Sequence, residues 1–139
     1  MSPCGASPLV EPPKNAGAFG REVGLKVAAE HPDGSVEMVI DVTERHTRAN
    51  EIAHGGVLFT LLDSAMAAAV QRAAPAGAWI ASVSITIDFL APAKAGRVTA
   101  RGWVERQGKT TAFPRSEAKD AAGNVVARAS GVWAVRAPS

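Results

Sequence analysis

The stretch at residues 54–63, HGGVLFTLLD, constrains this chain more than any other, because two adjacent glycines stand at the head of a strongly apolar helical pattern. Apolar residues recur there at helical spacing: Leu58, Leu61, Leu62, Ala65, Met66, Ala69 and Val70. The pattern predicts a helix that runs to about Arg72 and stops before Pro75. Most other positions of the helix are also apolar, with only a narrow polar edge, so we expect other elements to cover it nearly all round.

The start of this helix is suited to binding a ligand. The first N–H groups of a helix have no partner within it, and a glycine lets a ligand oxygen approach them closely. Asp63 is the only acid between Glu51 and Asp88, so it enters an apolar helix alone, where an unpaired charge is costly unless function compensates. On a helical wheel it falls at the margin of the apolar stripe, where a cleft could reach it.

A hairpin is predicted before the helix. Residues 21–29 and 35–43 alternate between apolar and polar positions as strands do, and Pro32, Asp33 and Gly34 between them form a turn signal.

Four further strands are predicted after the helix, at residues 79–90, 97–105, 110–119 and 125–135. Short connections favour antiparallel neighbours, and the early hairpin can join the same sheet. The predicted fold is α+β, an antiparallel sheet with one long central helix in the order β-β-α-β-β-β-β. Pro114 falls inside the third of these strands, which predicts a local edge, a bulge or an interruption there.

Length and composition predict one folded domain. The chain has 139 residues, 47% hydrophobic and 20% charged, which is typical of a globular protein. Residues 1–20 are rich in Pro and Gly and are predicted to be a flexible arm, followed by a single domain over 21–139. The net charge is only +2 and the basic residues are dispersed, so we expect no nucleic-acid partner.

Location and metal content are predicted from what the sequence lacks. Cys4 is the single cysteine, and the three histidines have no metal-ligand spacing, so we expect a reducing compartment and no metal. No secretory signal pattern and no uncharged apolar run of about 18 residues is present. A cytoplasmic protein without a membrane partner is predicted.

Three blocks of sequence resemble one known family. They are HGGVLFTLLDSA at 54–65, VSITIDFLAPAKAG at 83–96 and RQGKTTAF at 106–113. Together, in this order and with the acid nine residues after the His, they are similar to hotdog-fold thioesterases over residues 35–135. The resemblance is strongest to the PaaI-like group, which includes the phenylacetate-pathway and 4-hydroxybenzoyl-CoA thioesterases.

This resemblance implies hydrolysis of an acyl-CoA with a small, medium or aromatic acyl group to the free acid and CoA. It implies no cofactor, since coenzyme A is part of the substrate. It also implies a homodimer or homotetramer with active sites shared between subunits, the glycines coming from one subunit and the acid from its neighbour.

Family roles fall on five residues of this chain. Gly55 is implied as the main N–H donor to the thioester carbonyl, with Gly56 beside it and His54 shaping the turn. Asp63 takes the place of the general base or nucleophile, and Ser82 that of a hydroxyl that holds the attacking water. A positioned donor of this kind typically lowers the barrier by about 3–4 kcal/mol.

Substrate-binding candidates are Asn50, Phe59, Arg106 and Lys109. Family members often carry an Asn six residues before the His, where this chain has Arg48, and Asn50 is the nearest substitute. That departure motivates a second hypothesis, a regulatory protein that binds acyl-CoA without hydrolysing it. A hotdog dehydratase or hydratase is a third and weaker one.

Structural explanations stay open for these residues. The glycine pair can serve only a tight junction, and Asp63 can serve an ion pair or a cap. Burial would raise the pKa of Asp63 and the nearby helix start would lower it, and the sequence does not decide between them.

Overall fold

The computed structural model describes residues 17–139. In chain order its elements are helix α1 (Gly17–Val23), strands β1 (Lys26–Glu30), β2 (Val36–Val42), β3 (Thr47–Arg48) and β4 (Ile52–Ala53), helix α2 (Gly55–Ala73), and strands β5 (Trp79–Phe89), β6 (Gly96–Gln107), β7 (Thr111–Lys119) and β8 (Val125–Arg136). Within this part of the chain, no helix is long and apolar enough to cross a membrane.

Six strands form one antiparallel sheet in the order β1-β2-β6-β7-β8-β5. Strands β3 and β4 form a small hairpin of their own immediately before α2. The predicted fold class, an antiparallel sheet with one long helix, is confirmed. Strands β1 and β5 are the two edges of the sheet.

Helix α2 packs on the sheet through the apolar stripe that the sequence predicts: Leu58, Leu61, Leu62, Ala65, Met66, Ala69 and Val70 are all buried. Strand β6 passes very close beneath it, because a Cβ on Gly102 would lie only 2.2 Å from the carbonyl oxygen of Ala65. On β7, the buried Ser116 hydroxyl donates a hydrogen bond to the Leu62 carbonyl, at 3.1 Å. These two contacts fix the middle of the helix against the sheet.

The opposite face of α2 is less covered than predicted. Phe59 is 37% exposed, and Thr60, Asp63 and Ser64 are only half-buried. The expectation of a helix covered nearly all round is therefore wrong for a single chain. The reason is that one six-stranded sheet reaches only one side of the helix.

The N-terminal boundaries also differ from the prediction. The pattern predicts a strand from residue 21, whereas α1 continues to Val23 and β1 begins at Lys26. Gly24, with φ +86°, ends the helix, and the Leu25 N–H donates back to the Gly20 carbonyl at 2.9 Å. Residues 1–16 of the predicted arm lie outside the described residues, and residues 17–20 are helical.

The predicted hairpin turn is confirmed. Strands β1 and β2 pair antiparallel around it, and Gly34 has φ +93°. The Asp33 carboxylate accepts hydrogen bonds from the Ser35 N–H at 2.8 Å and from the Ser35 hydroxyl at 2.6 Å.

Pro114 lies in a central strand, because β7 is flanked by β6 and β8. The structure shows a bulge on the neighbouring strand β6 and an interruption of the pairing with β8, where neither Phe113 nor Pro114 has a partner. Val104 pairs with Pro114 and Arg106 with Phe113, so Glu105 is the extra residue on the neighbouring strand. A bulge accommodates a residue that has no N–H to donate to the ladder.

Strand β5 is an exposed edge with a bulge of its own. The pairing register shifts between Ser82 and Ser84, which leaves Val83 unpaired and 67% exposed. Ile80 and Ile85, five residues apart, both pack against the core, which a regular strand of period two would not allow.

Candidate active site

The first turn of α2 presents one free backbone donor. His54 caps the helix, and its ring Nδ1 accepts a hydrogen bond from the Gly56 N–H at 2.8 Å. The Val57 N–H donates to the His54 carbonyl at 2.9 Å. The Gly55 N–H has no hydrogen-bond partner among residues 17–139. The sequence places Gly56 beside Gly55 as a donor, but in this structure only the Gly55 N–H is available to a ligand.

His46 holds this turn in place through its backbone carbonyl and its ring. Its carbonyl accepts a hydrogen bond from the His54 N–H at 2.8 Å. Its buried ring accepts from the Thr43 N–H at Nδ1, at 2.9 Å, and lies 2.8 Å from the Val23 carbonyl at Nε2. Both contacts are satisfied when Nε2 carries the proton. Sequence reasoning missed this residue, because no motif or spacing marks a histidine that holds loops together.

The β3–β4 hairpin carries Asn50 and ends directly before this turn. Its tip at Ala49–Glu51 is exposed, and both Asn50 and Glu51 have left-handed backbone angles, with φ 68° and 58°. Asn tolerates this region better than most residues, whereas Glu does not, so the tip stores some strain. The hairpin is fixed at its base, where the Ala53 N–H donates to the Ala93 carbonyl at 2.7 Å.

The ring of Phe89 borders Gly55. A Cβ on Gly55 would lie 3.2 Å from Cζ of Phe89, so this ring occupies the space beside the glycine. Phe59 is one helical turn further along α2 and is 37% exposed. Phe89 is not among the predicted site residues. The alternation of Val83, Ile85, Ile87 and Phe89 marked it only as a strand position.

Asp63 lies away from this donor. It is eight residues after Gly55, which corresponds to about 12 Å along the helix axis. Its side chain is half-buried and forms no hydrogen bond or ion pair with another described side chain. Burial raises the pKa of the Asp63 carboxyl above its ordinary value. Of the two opposing effects that the sequence leaves open, burial prevails.

Ser82, Arg106 and Lys109 lie toward the other end of α2. Ser82 is seven residues before Phe89 on β5, on the order of 20 Å from the ring that touches Gly55. Gln107, beside Arg106, lines a cavity together with Ala73, the last residue of α2, about 27 Å from Gly55 along the helix axis. The exposed Lys109 is in the turn that follows.

The predicted site residues therefore form two groups in one chain. The first group, Gly55 with its free N–H, the His54 cap, Asn50 and Phe59, lies at or just before the first turns of α2, and Phe89, which was not predicted, borders it from β5. Asp63 lies in the middle of the helix, with Ser82, Arg106 and Lys109 beyond it. The first group can polarise a carbonyl and the second can supply a base, but a single chain does not bring the two together.

The thioesterase superfamily profile matches residues 50–127 of this chain. Human acyl-coenzyme A thioesterase 13 is 34% identical over 99 residues, which is 68% of each chain. Acyl-coenzyme A thioesterase PaaI of Escherichia coli is 39% identical over 95 residues, 68% of this chain and 65% of that protein.

The solved structure of the E. coli PaaI protein, from the phenylacetic acid degradation operon, superposes with a TM-score of 0.78 at 29% identity. The match covers 88% of this chain and 86% of that one. The resemblance to PaaI-like hotdog thioesterases is thereby confirmed. The chain belongs to the thioesterase superfamily and has its hotdog fold.

Proposed function

We propose that this protein is an acyl-CoA thioesterase that hydrolyses a small, medium or aromatic acyl-CoA to the free acid and CoA, without a cofactor or metal. The relatives named as acyl-coenzyme A thioesterases support this activity. The free Gly55 N–H and the desolvated Asp63 are the groups that such a reaction needs. A single cysteine suits a reducing compartment, and we place the activity in the cytoplasm.

In the proposed reaction the thioester carbonyl oxygen accepts a hydrogen bond from the Gly55 N–H. This donor stabilises the charge that develops on the oxygen as the carbonyl carbon is attacked. Asp63 acts either as general base toward a water molecule or as the nucleophile itself. Its raised pKa makes it a stronger base than an exposed aspartate. Ser82 is the candidate for holding the attacking water.

The observation that carries this proposal is the separation of Gly55 and Asp63 along α2. A carbonyl bound at Gly55 needs its attacking group about 3–3.5 Å from the carbon, whereas the Asp63 of the same chain is about 12 Å further along the helix. The acid of the proposed site therefore comes from a second subunit. This agrees with the shared sites that the family resemblance implies.

Strand β5 is the surface through which we propose that two chains associate. It is an unpaired sheet edge with exposed apolar side chains, among them Trp79, Val83 and Phe89. Antiparallel pairing of β5 with its two-fold copy sets the Phe89 end of one strand beside the Trp79 end of the other. The Gly55 group of each subunit then faces the Asp63 and Ser82 group of its partner. The proposed assembly is a homodimer, or a homotetramer made from two such dimers.

The experiment is to measure release of free CoA thiol from acyl-CoA esters with short, medium, long, phenylacetyl and hydroxybenzoyl groups. Wild type should turn over at least one ester, and Asp63→Asn should abolish that turnover while retaining its fold. Asp41→Asn is the matched control, because this aspartate is exposed on β2 and paired with Arg97.

Arg48, which replaces the Asn that family members often carry, favours one alternative. Binding of these esters without any turnover would overturn the thioesterase and identify a regulatory acyl-CoA-binding protein. Hydration of an enoyl thioester instead would identify a hydratase.

A further inference from the structure

Phe89 has no assigned role, yet its ring lies beside the residue that carries the free N–H of the site. A Cβ on Gly55 would lie 3.2 Å from Cζ and 3.3 Å from Cε1 of its ring. The ring therefore borders the space that a side chain at position 55 would enter. In the single chain Phe89 is 54% exposed, at the β5 edge where we propose that two chains pair. Its ring therefore borders both Gly55 and the proposed seam between subunits, where the shared site would form.

Residues of two kinds lie near Gly55. Phe89, whose ring borders the glycine, is followed by Leu90, and both are exposed and apolar. The β3–β4 hairpin, which ends two residues before Gly55, carries the exposed Arg48 and Asn50. An acyl-CoA has the same asymmetry, because an apolar acyl group and a polar, phosphate-bearing carrier meet at the thioester. The acyl group therefore matches Phe89 and Leu90, and the carrier matches the hairpin.

We infer that Phe89 is a specificity-determining residue whose ring limits the width of the acyl group at the carbon next to the thioester carbonyl. This inference rests on the proposed function. With the carbonyl oxygen held at the Gly55 N–H, that carbon lies against the ring. A CH₂ group or a flat aromatic carbon fits beside the ring, whereas an α-branched carbon meets it. Phe89 thus selects unbranched or flat acyl groups over α-branched ones of the same size.

The test compares kcat/KM for matched pairs of esters in wild type, Phe89→Ala and Phe89→Leu. One pair is butyryl-CoA and isobutyryl-CoA, and the other is phenylacetyl-CoA and 2-phenylpropanoyl-CoA. Wild type should prefer the unbranched member of each pair that it hydrolyses. Phe89→Ala should shift this preference toward the branched member by roughly tenfold or more, the effect typical of one methyl group in an apolar pocket. Phe89→Leu should fall between the two.

A second comparison tests whether the Phe89 ring acts by steric contact at Gly55 or only supports the fold. Alanine at position 55 would press on the ring, so Gly55→Ala should lower kcat/KM, and Phe89→Ala in the same chain should restore part of it. Phe19→Ala, which removes an exposed phenylalanine on α1, is the control and should leave the ratio of branched to unbranched turnover unchanged.

Each outcome has a distinct meaning. An active wild type whose preference is unchanged in Phe89→Ala would overturn the inference about Phe89 and leave the proposed function standing. An equal loss on all esters, without a change of preference, would make Phe89 a purely structural residue and also overturn the inference. A wild type that hydrolyses no ester would overturn the proposed function itself.

Discussion

The His54 ring accepts a hydrogen bond from the N–H of Gly56, at 2.8 Å, and this contact divides the roles of the glycine pair. The Gly56 N–H completes the helix cap, and the Gly55 N–H is left for a ligand. Two adjacent glycines that look equivalent in the sequence thus differ in what they can do. The difference can be tested by removing one N–H at a time.

Gly55→Pro removes the free donor with little disturbance of the backbone. Proline is favoured at the first position of a helix, and His54, with φ −62° and ψ 137°, already has the extended backbone that a following proline requires. We expect kcat to fall by about 10²–10³. Gly55→Ala is the matched control, because it adds a side-chain carbon and keeps the N–H. If the two variants lose activity equally in a thiol-release assay, the loss is steric and the donor role is wrong.

His54→Ala removes the acceptor that caps α2. We expect it to lower the free energy of unfolding by about 0.5–2 kcal/mol, the usual cost of losing an N-cap. His54→Asn supplies another capping side chain and should recover most of this loss. Urea unfolding of the three proteins measures it. Equal stability of wild type and His54→Ala would show that the cap contributes nothing.

Asp63→Asn should make the protein more stable and inactive. Because burial raises the pKa of Asp63, the folded state binds its proton more tightly than the unfolded state, so stability falls as pH rises from the ordinary pKa of 3.8 through the raised value. The variant lacks this penalty. At pH 7 its gain should be about 1 kcal/mol at most, because the side chain is only half-buried.

Thermal unfolding of wild type and Asp63→Asn at several pH values checks this sign. The gain should vanish at pH values well below 3.8, where the carboxyl is neutral in both folded and unfolded wild type. An Asn variant that is less stable than wild type at pH 7 would show that the charge has a stabilising partner.

Val83→Lys places a charged side chain at the bulge of the exposed β5 edge. Proteins commonly use charged side chains on edge strands to prevent edge-to-edge pairing. We expect light scattering to give the Val83→Lys variant the mass of one 14.3 kDa chain and wild type at least twice that mass. Turnover should be lost together with assembly. Val83→Thr, which has nearly the same shape, should keep both. A fully active monomer would refute the shared site.

Much of the fold could be predicted because its signals are local. Apolar residues from Leu58 to Val70 recur at helical spacing, and three adjacent residues, Pro32–Gly34, are enough to predict the turn. The strand order and the bulge at Val83 could not be predicted, because they depend on pairing between distant segments. Pro114 indicated an irregularity in its strand but could not show that the extra residue, Glu105, lies on the neighbouring strand.

The candidate site could be predicted only in part, for a similar reason. The positions of Gly55 and Asp63 in one motif identify both residues from the sequence. The contact of Phe89 with Gly55 joins residues 34 apart in sequence, and His46 joins α1, through its buried ring, to the turn before α2, through its carbonyl. No periodicity reports such contacts.

Complementation between two inactive chains tests the shared active site most directly. A chain with Gly55→Pro and a chain with Asp63→Asn are unfolded, mixed in equal amounts and refolded together, and thiol release is compared with that of each parent refolded alone. Half of the dimers should be hybrids with one intact site, so we expect about a quarter of wild-type activity. Activity no greater than the sum of the two parents, from a mixture shown by mass to contain hybrids, would contradict a site built from the Gly55 of one subunit and the Asp63 of the other.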